Sequence, residues 1–111
     1  MSFEPREYLR HILVEAEYLI ETSAGLSFED FSANDTLQRA FVRSLEIIGE
    51  AAKSVPDEFR AQYPKLDWRG MSGMRDRPIY GYFGVDYQIV WDVMQNHVPR
   101  IARDISSILN D

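Results

Sequence analysis

Met74-Arg75-Asp76-Arg77-Pro78-Ile79-Tyr80-Gly81-Tyr82-Phe83-Gly84-Val85-Asp86-Tyr87 lies between two stretches that repeat apolar residues at helical spacing. A mere connector favours small and polar residues. This one holds two arginines, four aromatic rings and two glycines. Rings beside fixed positive charge are costly to leave in solvent unless something binds there. Two readings fit the run: a binding or catalytic tip, and a plug whose rings fill the core at a tight helix-to-helix turn. Pro78 decides the backbone. It has no N–H to give to residue 74 and biases Arg77 away from helical angles, so the preceding helix ends there and Tyr80-Gly81-Tyr82 forms a bent tip.

Outward from the run, every segment reads as helix. Upstream, Asp67 is placed to cap a helix from Trp68 to about Asp76, in which Gly70 and Gly73 permit close packing. Pro56 stops the helix before it and opens a short one, Asp57 to Tyr63, which Pro64 terminates. Earlier, Asn34 or Asp35 caps a helix whose stripe is Leu37, Phe41, Leu45, Ile48 and Ala52. Its small residues Gly49, Ala51 and Ala52 admit a close neighbour. Glu50 among them is either drawn towards an arginine or solvated. Phe28 and Phe31 pin a short acidic connection to the core. The first helix starts at Pro5, carries Leu9, Ile12, Leu13, Ala16, Leu19 and Ile20 on one face, and ends with Gly25 as a left-handed cap.

Downstream, Asp86 caps the last and longest helix. Its apolar side is Tyr87, Val90, Trp91, Met94, Val98, Ile101, Ile105, Ile108 and Leu109, and Pro99 kinks it near Gln95. Strand-like alternation never exceeds three or four residues. The predicted fold class is all-α: an up-and-down bundle of four main helices plus a short helix, with residues 1–111 as a single domain.

Composition narrows the function. The 111 residues hold no cysteine, which removes thiol chemistry, and with only two histidines, His11 and His97, no conventional zinc site is expected. His11 reads as a surface histidine and His97 as a structural one beside the kink. No apolar run approaches the roughly 20 residues that span a bilayer, so no membrane role is expected. The opening residues lack the order of a signal peptide, so the expected location is cytoplasmic. Net charge is −6, and all of it falls in residues 1–35; the other 76 residues hold ten acids and ten bases. That acidic third disfavours a wide polyanion-binding face. Between Lys65 and Arg77 four bases meet two acids, which suits one phosphate at a local site.

With these elements in place, the run from Met74 to Trp91 closely resembles the signature of HepT-like (DUF86) proteins in the HEPN superfamily. Arg43-Ser44-Leu45-Glu46-Ile47-Ile48-Gly49-Glu50-Ala51-Ala52 resembles the second-helix motif of the same family. Helix order and length agree over essentially the whole chain. The resemblance implies a helical homodimer that acts as a metal-independent endoribonuclease toxin, with no cofactor. Its partners would be an RNA substrate and a cognate MNT-type nucleotidyltransferase antitoxin. The family pattern is an arginine, four residues, a histidine, one residue, then a tyrosine. It maps onto Arg75, position 80 and Tyr82, with Asp76 at the polar position after the arginine. The antitoxin would silence the toxin by attaching AMP to Tyr82. The chain departs from the pattern at one place: the histidine is Tyr80.

RNA cleavage without a metal needs a base for the 2′-hydroxyl proton, an acid for the leaving oxygen and a cation for the charge growing on phosphorus-bound oxygens. A guanidinium, planar and permanently charged, suits the last task. Arg75 is the candidate, and two copies of it can clamp one phosphate across a two-fold axis. Arg77 is either a spare clamp or a solvated cation. Tyr80 replaces imidazole poorly, because only about a thousandth of an ordinary phenol is ionised at neutral pH. Asp76, between two arginines, is a weak base. The expectation is therefore a HepT-like toxin with impaired catalysis. The alternative is a non-catalytic partner of the nucleotidyltransferase that accepts AMP on Tyr82.

Overall fold

Arg60 shows how the helices are tied to one another. Its guanidinium donates to the carbonyl oxygens of Ala52, Val55 and Lys53 at 2.8, 3.0 and 3.1 Å. These are the carbonyls that a helix leaves unpaired at its C-terminus. The helix so closed is α3 (Asp35–Ser54), and Arg60 belongs to the short α4 (Asp57–Gln62). The same guanidinium sits 5.9 Å from the ring centre of Trp68, the first residue of α5 (Trp68–Asp76). Trp68 in turn donates from Nε1 to the Tyr63 carbonyl at 3.0 Å. One side chain thus fixes where α3 ends and where α5 begins.

The computed structural model describes residues 4–76, 80–81 and 84–110, with Asp76, Tyr80 and Gly81 described by their backbone only. Helix α1 (Pro5–Ser23) begins on Pro5, and Gly25 follows its end with φ +80°. Asn34 caps α3 by accepting from Leu37 N–H at 3.0 Å. Strands β1 (Tyr80–Gly81) and β2 (Gly84–Val85) pair antiparallel, with Tyr80 opposite Val85 and Gly81 opposite Gly84. Asp86 then caps α6 (Tyr87–Asn96) through Gln88 N–H and Ile89 N–H. The last element is α7 (Val98–Leu109). Among the described residues the architecture is the predicted all-α bundle, with α1, α3, α5 and the α6–α7 pair as its main members.

Each main helix buries most of the stripe that its spacing implies, while Leu13, Ile20, Leu37, Tyr87, Trp91 and Leu109 are half-buried against it. Leu9, Ile12, Ala16 and Leu19 meet Phe41, Leu45, Ile48 and Ala52 in one core, with Met71, Met74, Val90, Met94, Val98, Ile101 and Ile105 closing it from the other side. An aromatic cluster fills the end nearest α2 (Phe28–Ser32): Phe31 stacks on Phe41 with ring centres 5.3 Å apart and lies 5.4 Å from Trp91. Tyr87 reaches the same cluster, 6.1 Å from Phe31. That ring of the opening run therefore behaves as the plug reading expects.

Three details differ from expectation. The acidic connection around Phe28 and Phe31 is a one-turn helix, held by a reciprocal capping box between Ser27 and Asp30. Gln38, on the buried side of α3, ties it down by donating to the Phe31 and Ser32 carbonyls. The final helix is two helices that break at His97. Pro99 has no N–H for the Gln95 carbonyl, while His97 N–H still reaches Val93 O and Ile101 N–H still reaches His97 O, so the interruption is brief. The close approach expected at Gly70 and Gly73 occurs elsewhere. A Cβ at Gly70 would strike the capping Asp67 carboxylate, and one at Gly73 would meet open space.

Candidate functional site

Gly49 is where α3 and α5 come together. A Cβ built there would lie 2.6 Å from both the Cβ and the backbone nitrogen of Arg75. No side chain fits in that gap, so glycine lets the last turn of α5 lie directly on α3. Arg75 stands in that last turn, where the partial negative charge of the helix end favours a cation. The seat of Arg75 is thus set by a backbone contact between two helices rather than by a loop. Substituting Gly49→Val should cost about 3 kcal/mol, the upper part of the overpacking range. Urea unfolding would show this as a lower midpoint at unchanged slope; a midpoint equal to that of the parent would mean that α3 and α5 separate freely.

From this seat the guanidinium meets Glu50. Arg75 Nε lies 3.6 Å from Glu50 Oε1, with both side chains about half exposed. Glu50 is therefore drawn to an arginine and also solvated; the two readings of the sequence are each half right. The same carboxylate oxygen lies 3.9 Å from Nη1 of Arg43, which is also 4.0 Å from Glu46 Oε1. Exposed pairs at such distances stabilise a fold by at most about 1 kcal/mol. Their interest is spatial. Two guanidinium groups and two carboxylates, those of Glu46 and Glu50, share a patch of surface over helix α3.

Arg43 was visible in the second-helix motif, though not as a neighbour of Arg75. Its signal was the seven-residue interval to Glu50, two turns on one helix face. Asp76 closes α5, and Tyr80 lies in β1 with its backbone opposite Val85. Side-chain contacts of Asp76 and Tyr80, and Arg77 and Tyr82 altogether, lie outside the described residues. His97 lines a cavity of about 300 Å³ between α5 and α6 together with Asp67, Met74 and Asp92. His11 is exposed on α1. Neither histidine joins the Arg75 cluster. Among the described residues no three His, Cys, Asp or Glu side chains converge as metal ligands, and no helix is long and apolar enough to cross a membrane.

This geometry sits inside a wider match. The family model described as "Ribonuclease HepT-like" matches residues 12–108, which takes in α3, α5 and the whole of the opening run. The chain belongs to the HepT-like ribonuclease family. A relative from Caldanaerobacter subterraneus subsp. tengcongensis, named "Putative RNase TTE0752", is 51% identical over 95% of this chain and 94% of its own. "Putative RNase MJ0127" from Methanocaldococcus jannaschii is 39% identical over 96% of this chain and 88% of its own. "Probable ribonuclease HepT" from Thermococcus cleftensis is 38% identical over 91% of this chain and 92% of its own. No solved structure matches this HepT-like chain.

Proposed function

We propose that this HepT-like chain is a metal-independent endoribonuclease of the toxin type. In this reading it acts as a cytoplasmic homodimer and is silenced by an MNT-type nucleotidyltransferase that attaches AMP to Tyr82. The observation that carries it is the seat of Arg75: a residue fixed by helix packing at Gly49, with a half-exposed guanidinium in a solvent-screened ion pair with Glu50. Such a group can accept a phosphate without refolding. In the reaction the 2′-hydroxyl of RNA attacks the adjacent phosphorus. Arg75 stabilises charge on the non-bridging oxygens, and Tyr80 protonates the departing 5′-oxygen. Asp76, next to Arg75, completes the polar end of α5. A two-fold pairing of subunits brings a second Arg75 to the same phosphate.

Tyr80 in place of histidine makes this chemistry slow. The test is incubation of the purified chain with single-stranded RNA in the presence of a chelator. Products ending in 2′,3′-cyclic phosphate and 5′-hydroxyl are expected; intact RNA after prolonged incubation would remove the catalytic reading.

Tyr80 also favours a second reading, a non-catalytic partner of the nucleotidyltransferase with Tyr82 as AMP acceptor. Incubation with that partner and ATP is expected to add AMP to the peptide that contains Tyr82, and Tyr82→Phe to abolish the addition. Mass spectrometry decides it. Labelling that survives Tyr82→Phe would move the acceptor, with Tyr80 the next phenol in the run.

A further inference from the structure

The proposed reaction lacks a convincing proton acceptor at position 80, because a phenol at neutral pH still holds its proton. We propose that Glu50 on α3 is the general base that takes the 2′-hydroxyl proton. The assignment rests on the ribonuclease reading above and adds a catalytic residue to it.

Glu50 has the chemistry and the place for this. Carboxylate side chains are among the groups that serve as general bases when positioned beside a reacting hydroxyl. The side chain is 48% exposed, so a ribose can reach it. It projects from the interior of a 20-residue helix rather than from a mobile connection, and its neighbour Gly49 is the contact that seats Arg75. One guanidinium therefore presents Nε to Glu50, and its two Nη groups are further donors of the same planar fork. A phosphate held on those donors brings the adjoining ribose to the side of Glu50. The 3.6 Å separation from Arg75 exceeds a hydrogen bond, so the carboxylate keeps its acceptor capacity. Arg43, 3.9 Å from the same oxygen, holds the carboxylate from the other side and offers a second cation to the phosphate.

The step balances. Glu50 accepts the 2′-hydroxyl proton as the 2′-oxygen forms its bond to phosphorus. The bond between phosphorus and the 5′-oxygen breaks, and that oxygen takes the phenolic proton of Tyr80. The products are a 2′,3′-cyclic phosphate and a 5′-hydroxyl. Solvent then removes the proton from Glu50 and returns one to Tyr80.

Glu50→Gln keeps the shape and loses the acceptor; Glu50→Asp keeps the acceptor. The measurements are single-turnover cleavage of a single-stranded RNA, and fluorescence-anisotropy binding of a 2′-O-methyl oligonucleotide of the same sequence, which cannot be cleaved. Glu50→Gln is expected to lower the cleavage rate about a hundredfold, with oligonucleotide affinity unchanged or tighter, and Glu50→Asp to recover part of the loss. A Glu50→Gln rate equal to or above that of the parent would overturn the assignment, since the carboxylate would then only compete with phosphate for Arg75. A loss explained wholly by weaker oligonucleotide binding would overturn it as well. If the parent chain binds the oligonucleotide but never cleaves RNA, the Glu50 assignment falls while RNA binding stands. A parent that binds no oligonucleotide defeats the ribonuclease reading itself.

Discussion

Tyr80→His is expected to raise RNA cleavage at least about a hundredfold, the lower end of what a positioned acid–base group contributes. In free-energy terms this is about 2.7 kcal/mol of transition-state stabilisation. The reason is the proton. A phenol with a reference pKa near 10 gives up its proton to a leaving oxygen far less readily than an imidazolium, whose reference value near 6.5 matches neutral conditions. With Glu50 taking the 2′-hydroxyl proton, a histidine at position 80 would supply the acid, and the two roles would fall to groups suited to each. Single-turnover cleavage under chelator measures the gain, and slowed growth of cells producing the variant is its expected counterpart. An unchanged rate would remove position 80 from the mechanism.

Much of the bundle was legible because its signals are local. Pro5, Asn34, Asp67 and Asp86 each open a helix where their chemistry says they should, and the apolar stripes of α1 and α3 are buried except for Leu13, Ile20 and Leu37, which are half-buried. Helix α2 escaped a reading by periodicity because five residues make barely more than one turn. Its Ser27-to-Asp30 capping box was nonetheless present in the sequence and is the signal that finds it. Pro99 marked an interruption, but a proline removes a single bond from the ladder, and the neighbouring bonds moved the break to His97.

The site divides along the same line. Arg75 stands out in sequence because a guanidinium beside several rings is unusual in a connector. Its partners depend on how α5 lies on α3, which no short-range pattern encodes. Three glycines, Gly49, Gly70 and Gly73, were equal candidates for a close approach, and only the packed helices show that Gly49 is the one that receives another element. The link between Arg43, Glu50 and Arg75 follows from that contact.

The second large effect concerns Arg75 itself. Removing one charge-stabilising donor from a transition state of this kind ordinarily costs about 10²–10³ in rate. Among the described residues the guanidinium makes one exposed ion pair, with Glu50, and the loss of such a pair costs a fold at most about 1 kcal/mol. Arg75→Ala is therefore expected to separate activity from stability, whereas Gly49→Val should damage both by pushing α5 away from α3. Arg75→Lys is expected to recover little, because an ammonium keeps the charge but loses the planar fork that binds two phosphate oxygens at once.

Single-turnover cleavage of single-stranded RNA by the Arg75→Ala variant, beside its unfolding midpoint, is the measurement that bears most directly on a phosphate seat built at the α3–α5 contact. A fall of about 10²–10³ in rate with the midpoint preserved is the predicted result. Cleavage at the parent rate by a folded Arg75→Ala variant would contradict it.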